Sequence, residues 1–423
     1  MITMARFLHI ADVHLGFDHY DNRTRTKDFY LALQDVLRKH AIDAKVDFVV
    51  VAGDLFEHRM IQPAILAQAK DCFEQVKAAG IPVIAIEGNH DNRPYGTRTN
   101  WLQYLADDGL VILLEPTTAD AGVLYDPWDG LSGGYIELDC GVRVCGSSWY
   151  GSSAPKAIAS LAEGIAKLPA FDGPTVMLFH HGLEGQIARY QGALRYDDLL
   201  PLQKAGVSYL ALGHIHKHYA VEGWIFNPGS LEANSIQEAD FDRGALLVEI
   251  TSEQIQATLK TDYYQRKIVR LRHRTSGQES LEELEQAAIA VIEKAVQKKQ
   301  IAVEDEAIVE LRIEGSVGFD RLDLDTRKLQ QKLQEISNAL IFLLRYNVES
   351  TEYHTPLIEE ANRSQIEQDV FIDLLTAHNS YKKNADQLAL GLIELKDMNL
   401  KGDSEADMYE YVSGLLGQKT EDD

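Results

Sequence analysis

Short apolar runs rich in β-branched residues recur through the first half of the chain, each bounded by turn residues. They are RFLHI (Arg6–Ile10), DFVVVAG (Asp47–Gly53), IPVIAIEG (Ile81–Gly88), PTVMLFH (Pro174–His180) and VSYLALG (Val207–Gly213), and they read as buried strands. Helical periodicity separates several of them, in FYLALQDVLRKHAID and in PAILAQAKDCFEQVKAAG, where a glycine marks the helix end. Strands alternating with helices predict an α/β domain whose helices cover the sheet faces. GGYIELDCGVRVCGSSW alternates with period two and predicts a hairpin.

This first unit is expected to span residues 1–263. From Tyr264 to Tyr346 the pattern reads strand, helix, strand, helix, strand. Its helices are SLEELEQAAIAVIEKAVQKK and DTRKLQQKLQEISNA, and AIVELRIEG is its middle strand. Residues 347–423 predict a linker and two or three amphipathic helices. In DMYEYVSGLLG, residues Met408, Tyr411, Val412, Leu415 and Leu416 form an apolar stripe.

The chain has 423 residues, 45% hydrophobic and 25% charged, which suits two or three globular domains. No stretch approaches the roughly 20 apolar residues of a membrane span, and MITMARFLHIADVH lacks the pattern of a signal peptide. Three cysteines without CxxC pairing point to reduced thiols in a cytoplasmic protein. The net charge of −24 argues against a nucleic-acid partner until its distribution is considered. From Asn347 to Asp423 there are 17 acidic and 6 basic residues, so much of the acidity lies away from the N-terminal half.

Each of the five strands is followed by side chains able to bind metal. Asp12 and His14 follow the first and Asp54 the second. Asn89, His90 and Asp91 follow the third, His180 and His181 the fourth, His214 and His216 the fifth. Ligand sites of α/β sheets assemble at such strand ends. Two carboxylates, an amide oxygen and several imidazoles suit two divalent ions with mixed nitrogen and oxygen ligands. Manganese fits that set, and zinc and iron remain open. His218 is assigned to solvent or to a loop facing substrate.

The order DVH, GDLF, GNHD, a strand-end histidine and GHIH resembles the calcineurin-like metallophosphoesterase superfamily. Within it, HIADVHLG, VVAGDLF, GNHDN and LALGHIHK are similar to the SbcD-type DNA repair exonucleases, nuclease partners of SMC-like ATPases. The resemblance implies a sandwich of two β-sheets flanked by helices, a smaller α/β capping domain and a helical C-terminal tail. It implies Asp12, His14 and His216 on one metal, Asn89, His180 and His214 on the other, and Asp54 bridging. His90 would face substrate as a general acid. FHHGLEG offers two histidines; His180 ends the strand and is preferred, with His181 the alternative. Some relatives carry a second histidine directly after GDLF, where this chain has Glu57, with His58 one further on.

The implied activity is hydrolysis of DNA phosphodiesters by a two-metal mechanism, as an exonuclease with endonuclease action left open. The implied partners are DNA and an ATPase of the SbcC type, with a homodimer left open and no membrane; the tail either docks that ATPase or closes back on the cap. Arg23, Arg25, Lys27, Arg93, Arg98 and Lys217 are candidate phosphate contacts. The basic run Arg266, Lys267, Arg270, Arg272 and Arg274 is either a further contact or a solvated strand face. Two rivals stand beside this reading: a metallophosphoesterase acting on a phosphoprotein or small nucleotide, and an inactive scaffold. The phosphatase-type continuation GDxxDRG is absent, and every ligand position is filled.

Overall fold

The structure, a computed structural model, describes residues 4–417 except 95, 98, 120–121, 188–192, 351–362, 377–380, 382–383 and 402–403. The chain begins β1 (Ala5–Ile10), α1 (Arg23–Leu37), β2 (Phe48–Ala52), α2 (Pro63–Ala78), β3 (Val83–Ile86), α3 (Trp101–Asp107) and β4 (Ile112–Leu113). Next come β5 (Thr117–Ala119), β6 (Gly122–Leu124), β7 (Tyr135–Glu137), β8 (Arg143–Cys145), α4 (Ala154–Ala166), β9 (Thr175–Phe179), α5 (Tyr196–Lys204) and β10 (Val207–Leu212). β11 (Tyr219–Val221), β12 (Ile225–Asn227), β13 (Ala245–Ile250) and β14 (Ile255–Lys260) follow.

Two six-stranded sheets result, ordered β14-β13-β1-β2-β3-β4 and β11-β12-β10-β9-β8-β7. This is the two-sheet architecture that the motifs imply. The strands are apolar throughout because alternate residues feed different cores. Phe7, Phe48, Val50, Tyr209, Ala211 and Phe226 point between the sheets, where Tyr209 stacks on Phe226 at 4.4 Å between ring centroids. Leu8, Val49 and Val51 face outward into a core shared with α1 and α2. Leu210 and Leu212 do the same towards α4 and α5. Strands covered on both faces lose the polar alternation of a half-exposed sheet.

β1, β2 and β3 run parallel, as do β9 and β10. Their C-terminal ends therefore lie at one edge of each sheet. A hydrogen bond of 2.7 Å from His180 Nδ1 to the carbonyl of Ala52 joins the two edges.

α1 begins six residues before the periodic stretch from Phe29. Asn22 caps it by accepting from the backbone N–H groups of Thr24 and Arg25, so the basic segment NRTRTK forms its first turns. A π-helical turn, Arg38–Ile42, extends it.

The chain divides into compact units Met1–Ile268 and Val269–Asp423. The second holds β15 (Ile268–Arg274), α6 (Leu281–Gln297), β16 (Ile308–Val317), α7 (Thr326–Ser337) and β17 (Ile341–Ser350), the strands in that order in one sheet. Val309, Leu311, Ile313 and Phe342 pack there with Leu284, Ile292, Leu329 and Leu333 of the helices. α8 (Arg363–Thr376), α9 (Ala385–Lys401) and α10 (Glu405–Gly417) follow. No described helix is long and apolar enough to cross a membrane.

Candidate metal centre

The loops after β1, β2 and β10 are bent by unusual backbone. Asp12 and His14 have φ of +52°, Asp54 +54° and His214 +79°, the left-handed region where a non-glycine residue costs on the order of 1 kcal/mol or more. Polar contacts between the loops hold these conformations. The N–H groups of Val13 and His14 donate to the carbonyl of Asp54 at 2.9 and 3.1 Å. The His214 N–H donates to the Asp12 carboxylate at 2.9 and 3.0 Å, and the His90 N–H to Asp54 Oδ1 at 2.8 Å. Asp91, itself buried, accepts from the N–H groups of Leu55 and Gly88, both at 2.7 Å, and ties the β2 loop to the β3 loop.

Two clusters hold the expected ligands, Asp12 with His14 and His216 and Asp54 with His180 and His214, and His14 also lies in a third group with Glu57 and His90. Their ring nitrogens define the chemistry. His14 Nδ1 lies 2.7 Å from Glu57 Oε2, and His216 Nδ1 donates to Glu238 Oε1 at 3.2 Å. The remaining Nε2 atoms of these two rings face each other at 3.2 Å. In the second cluster His180 Nδ1 is used on Ala52, so its Nε2 faces Asp54 Oδ2 and Asn89 Oδ1, each at 3.1 Å. His214 Nδ1 lies 2.7 Å from the same Asn89 oxygen.

Acceptors turned on acceptors repel unless a proton or a cation lies between them. Protonation is one resolution. Burial disfavours the charged form of His180, but Asp54 outweighs it and pushes the ring up to about 9. His216 also reaches about 9, where Glu238 and Asp12 overcome burial. Burial and the adjacent His180 hold His214 down at about 3. Burial opposes ionisation of Asp54, yet His180, His14 and His90 bring it far below the carboxylate range. Divalent cations are the other resolution, and the donors fit them: two carboxylates, one amide oxygen and four inward-turned imidazoles. Carboxylates or carbonyls behind the far ring nitrogens are the usual second layer of such sites.

All seven side chains singled out in the sequence as ligands thus meet at the two sheet edges. His90 stands beside them, half-exposed, its Nδ1 donating to the Glu57 carbonyl at 2.8 Å and its ring against His14 at 4.8 Å. His181 turns both nitrogens to backbone carbonyls, of Gly182 and Gly151, each at 3.2 Å. His218 donates to the Asn227 carbonyl at 2.8 Å. Sequence reasoning missed Glu238 and Trp149, and it treated Glu57 only as a departure. Trp149 lies within 5.5 to 6.0 Å of the His180, His181 and His214 rings. The only signal for Glu57 was its place three residues after Asp54; Glu238 carries no motif.

Several basic candidates are corrected. Arg25 is 1% exposed and pairs with Asp28 at 3.1 Å and Glu232 at 3.4 Å, because it lies on the inner face of α1. Arg93 forks onto Glu115, with Glu87 at 3.8 Å. Arg266 binds Asp28 through Nε at 2.9 Å and Nη2 at 2.6 Å. Arg270 and Arg272 find acids on the neighbouring β16, Glu310 at 3.9 Å and Glu314 at 3.5 Å. Arg23, Lys27, Lys267 and Arg274 are exposed and Lys217 is half-buried, while Arg98 lies outside the described residues.

The family model described as calcineurin-like phosphoesterase matches residues 5–218. Among curated relatives, the DNA double-strand break repair protein Mre11 of Archaeoglobus fulgidus is 42% identical over 86 residues, 20% of this chain and 19% of that protein. Mre11 of Methanosarcina mazei is 28% identical over 260 residues, covering 60% and 38% of the two chains. These stretches span well under half of either relative's length. Mre11 of Saccharolobus solfataricus is 23% identical over 403 residues, 92% of this chain and 95% of that one.

Proposed function

From the premise that this chain belongs to the calcineurin-like phosphoesterase family, we propose that it is a metal-dependent DNA nuclease acting in double-strand-break repair, an exonuclease working with two divalent ions, manganese by preference. One observation carries the proposal: His14 Nε2 and His216 Nε2 lie 3.2 Å apart beside Asp12, and His180 Nε2 lies 3.1 Å from both Asp54 and Asn89. Asp12, His14 and His216 would hold one ion, Asn89, His180 and His214 the other, with Asp54 between them. When bound, such a pair supplies an activated water and a clamp for the attacked phosphoryl oxygens.

The chain's own groups do the rest. The Glu57 carbonyl fixes His90 by its Nδ1–H, so that in the imidazolium form the Nε2–H would pass its proton to the departing sugar oxygen and leave the neutral ring. Trp149 sets its ring beside His180 and His214. The similarity to Mre11 proteins over nearly the whole chain supports DNA as the polymer. Residues 264–346 would serve as a capping domain, and the tail of residues 347–423, with α9 and α10, as the dock for an SbcC-type ATPase. Leu392, Leu395, Met408 and Val412 line a groove there, while Leu415 lies against Gly391. Leu416 falls outside the described side chains.

Manganese-dependent degradation of labelled duplex DNA, run beside bis-p-nitrophenyl phosphate, tests the proposal. DNA should be degraded, and His90→Asn should retain both ions yet lose about a hundredfold or more of the activity. Cleavage of the small ester with DNA untouched would move the reading to another phosphoesterase, and full activity of His90→Asn would remove its acid role. Truncation after Ser364 should abolish co-purification with the ATPase; an undiminished complex would rule out the tail.

A further inference from the structure

A cavity of about 340 Å3 opens on the first unit, and the reaction above does not use it. Leu113 of β4, Pro116 and Leu131 give it apolar walls, and Leu131 is 69% exposed there. Glu115 and Ser148 form a polar side. Ser148 Oγ donates to Glu115 Oε1 at 3.1 Å, and Arg93 forks onto both oxygens of the same carboxylate. Gln103, Thr117 and Thr118 add an amide and two hydroxyls. The chain itself ties this cavity to the metal centre. Ser148 is followed by Trp149, whose ring stands 5.6 Å from that of His180 and 5.5 Å from that of His214. Arg93 belongs to the loop that carries Asn89 and His90.

Such a lining selects its ligand. Among the described lining residues none is basic, so a phosphate would be repelled by the Glu115 carboxylate. A flat ring with N–H donors on its edge fits. Its faces would bury against the leucines and the proline. An ionised carboxylate offers about four acceptor sites, of which Arg93 and Ser148 take three, so Glu115 keeps one for such a donor. We propose that the cavity receives an unpaired nucleobase of the substrate strand, beside the phosphate being cut. Glu115 makes it favour adenine, cytosine or guanine, which carry exocyclic amino groups, over thymine, whose carbonyl oxygens the carboxylate repels. A base already unpaired enters at least cost, because no pair or stack has to be broken. The inference rests on the nuclease reading above and gives its substrate a form, a strand end with a free base.

Cleavage with Mn2+ of duplexes ending in one unpaired nucleotide, run beside bis-p-nitrophenyl phosphate on the full chain, tests this. An abasic residue at that place should slow DNA cleavage by about tenfold or more, and thymine should slow it by about fivefold relative to adenine. Thr118→Trp should fill the cavity, with Ser132→Met as a second filling variant should the first not fold. Each should lower the ratio of DNA to small-ester cleavage by about tenfold, and Glu115→Gln should erase the preference against thymine. Equal rates with every base and with the abasic end, or an unchanged ratio in both filled variants, would overturn the inference. Binding to the metal-free chain separates it from the nuclease reading. The fluorescent base 2-aminopurine, placed at the unpaired position, should change its emission on binding, and the filled variants should lose that change. This result without any DNA cleavage would sustain the inference and remove only the nuclease. No emission change would overturn the inference even where DNA is cut, and saturation by free deoxyadenosine alone would replace the strand by a free nucleoside.

Discussion

At the scale of single residues, the approach of the loops is set by a missing side chain. A Cβ on Gly88 would lie 2.1 Å from Asp54 Oδ1 and 2.4 Å from the Asp54 backbone nitrogen, distances no real contact tolerates. Gly88→Ala must therefore push the β2 and β3 loops apart. We expect at least a tenfold loss of Mn2+ affinity by calorimetry; unchanged affinity would mean that the close approach is not needed. His9 poses a different case. It is fully buried between the Tyr209 hydroxyl at 2.9 Å and the Leu212 carbonyl at 3.0 Å, and burial drives it down to about 3. The folded state keeps this ring neutral while the unfolded chain takes up a proton below about 6.5. Stability is thus intact above that value and falls as pH drops towards 3. Denaturant melts of wild type and His9→Gln should differ in slope by about 1.4 kcal/mol per pH unit inside that window; parallel slopes would contradict the assignment. The seven ligand candidates were legible because each directly follows an apolar run. Glu238 was not, because its role arises from a contact with His216 made only after folding.

Among elements, the strands were the most readable. All five apolar runs became strands within two residues of their expected ends, since a strand covered on both faces has little but apolar residues to offer. The start of α1 was less so. Its first turns are polar, and only the Asn22 cap and the burial of Arg25 reveal them. That burial changes what Arg25 does. Arg25, Asp28, Glu232 and Arg266 form a buried charge network that fastens α1 to the segment after Tyr263, and the Tyr264 hydroxyl donates to Asp28 Oδ1 at 2.6 Å. Removing one partner from such a network leaves acids uncompensated. Arg25→Ala should lose about 3–5 kcal/mol of stability in chemical denaturation. A variant of unchanged stability with weakened DNA binding would instead restore Arg25 as a surface contact.

For the whole molecule, charge and architecture point in different directions. The chain carries a net −24, yet 17 of its acidic residues fall within its last 77 positions, after the segment that holds the candidate ligands. Arg270 and Arg272 looked available in the sequence because their acids come from β16, some forty residues on. Sequence spacing cannot show such cross-strand pairs. What the order of motifs did convey is that residues from Asp12 to His216 belong to one place, and the two sheets bring them there. The most direct measurement is anomalous diffraction at the manganese edge from crystals of the full chain grown with Mn2+. The account predicts two peaks about 3.5–4 Å apart, one among Asp12, His14 and His216, the other among Asn89, His180 and His214, with Asp54 between them. Peaks elsewhere, or none within these side chains, would contradict it.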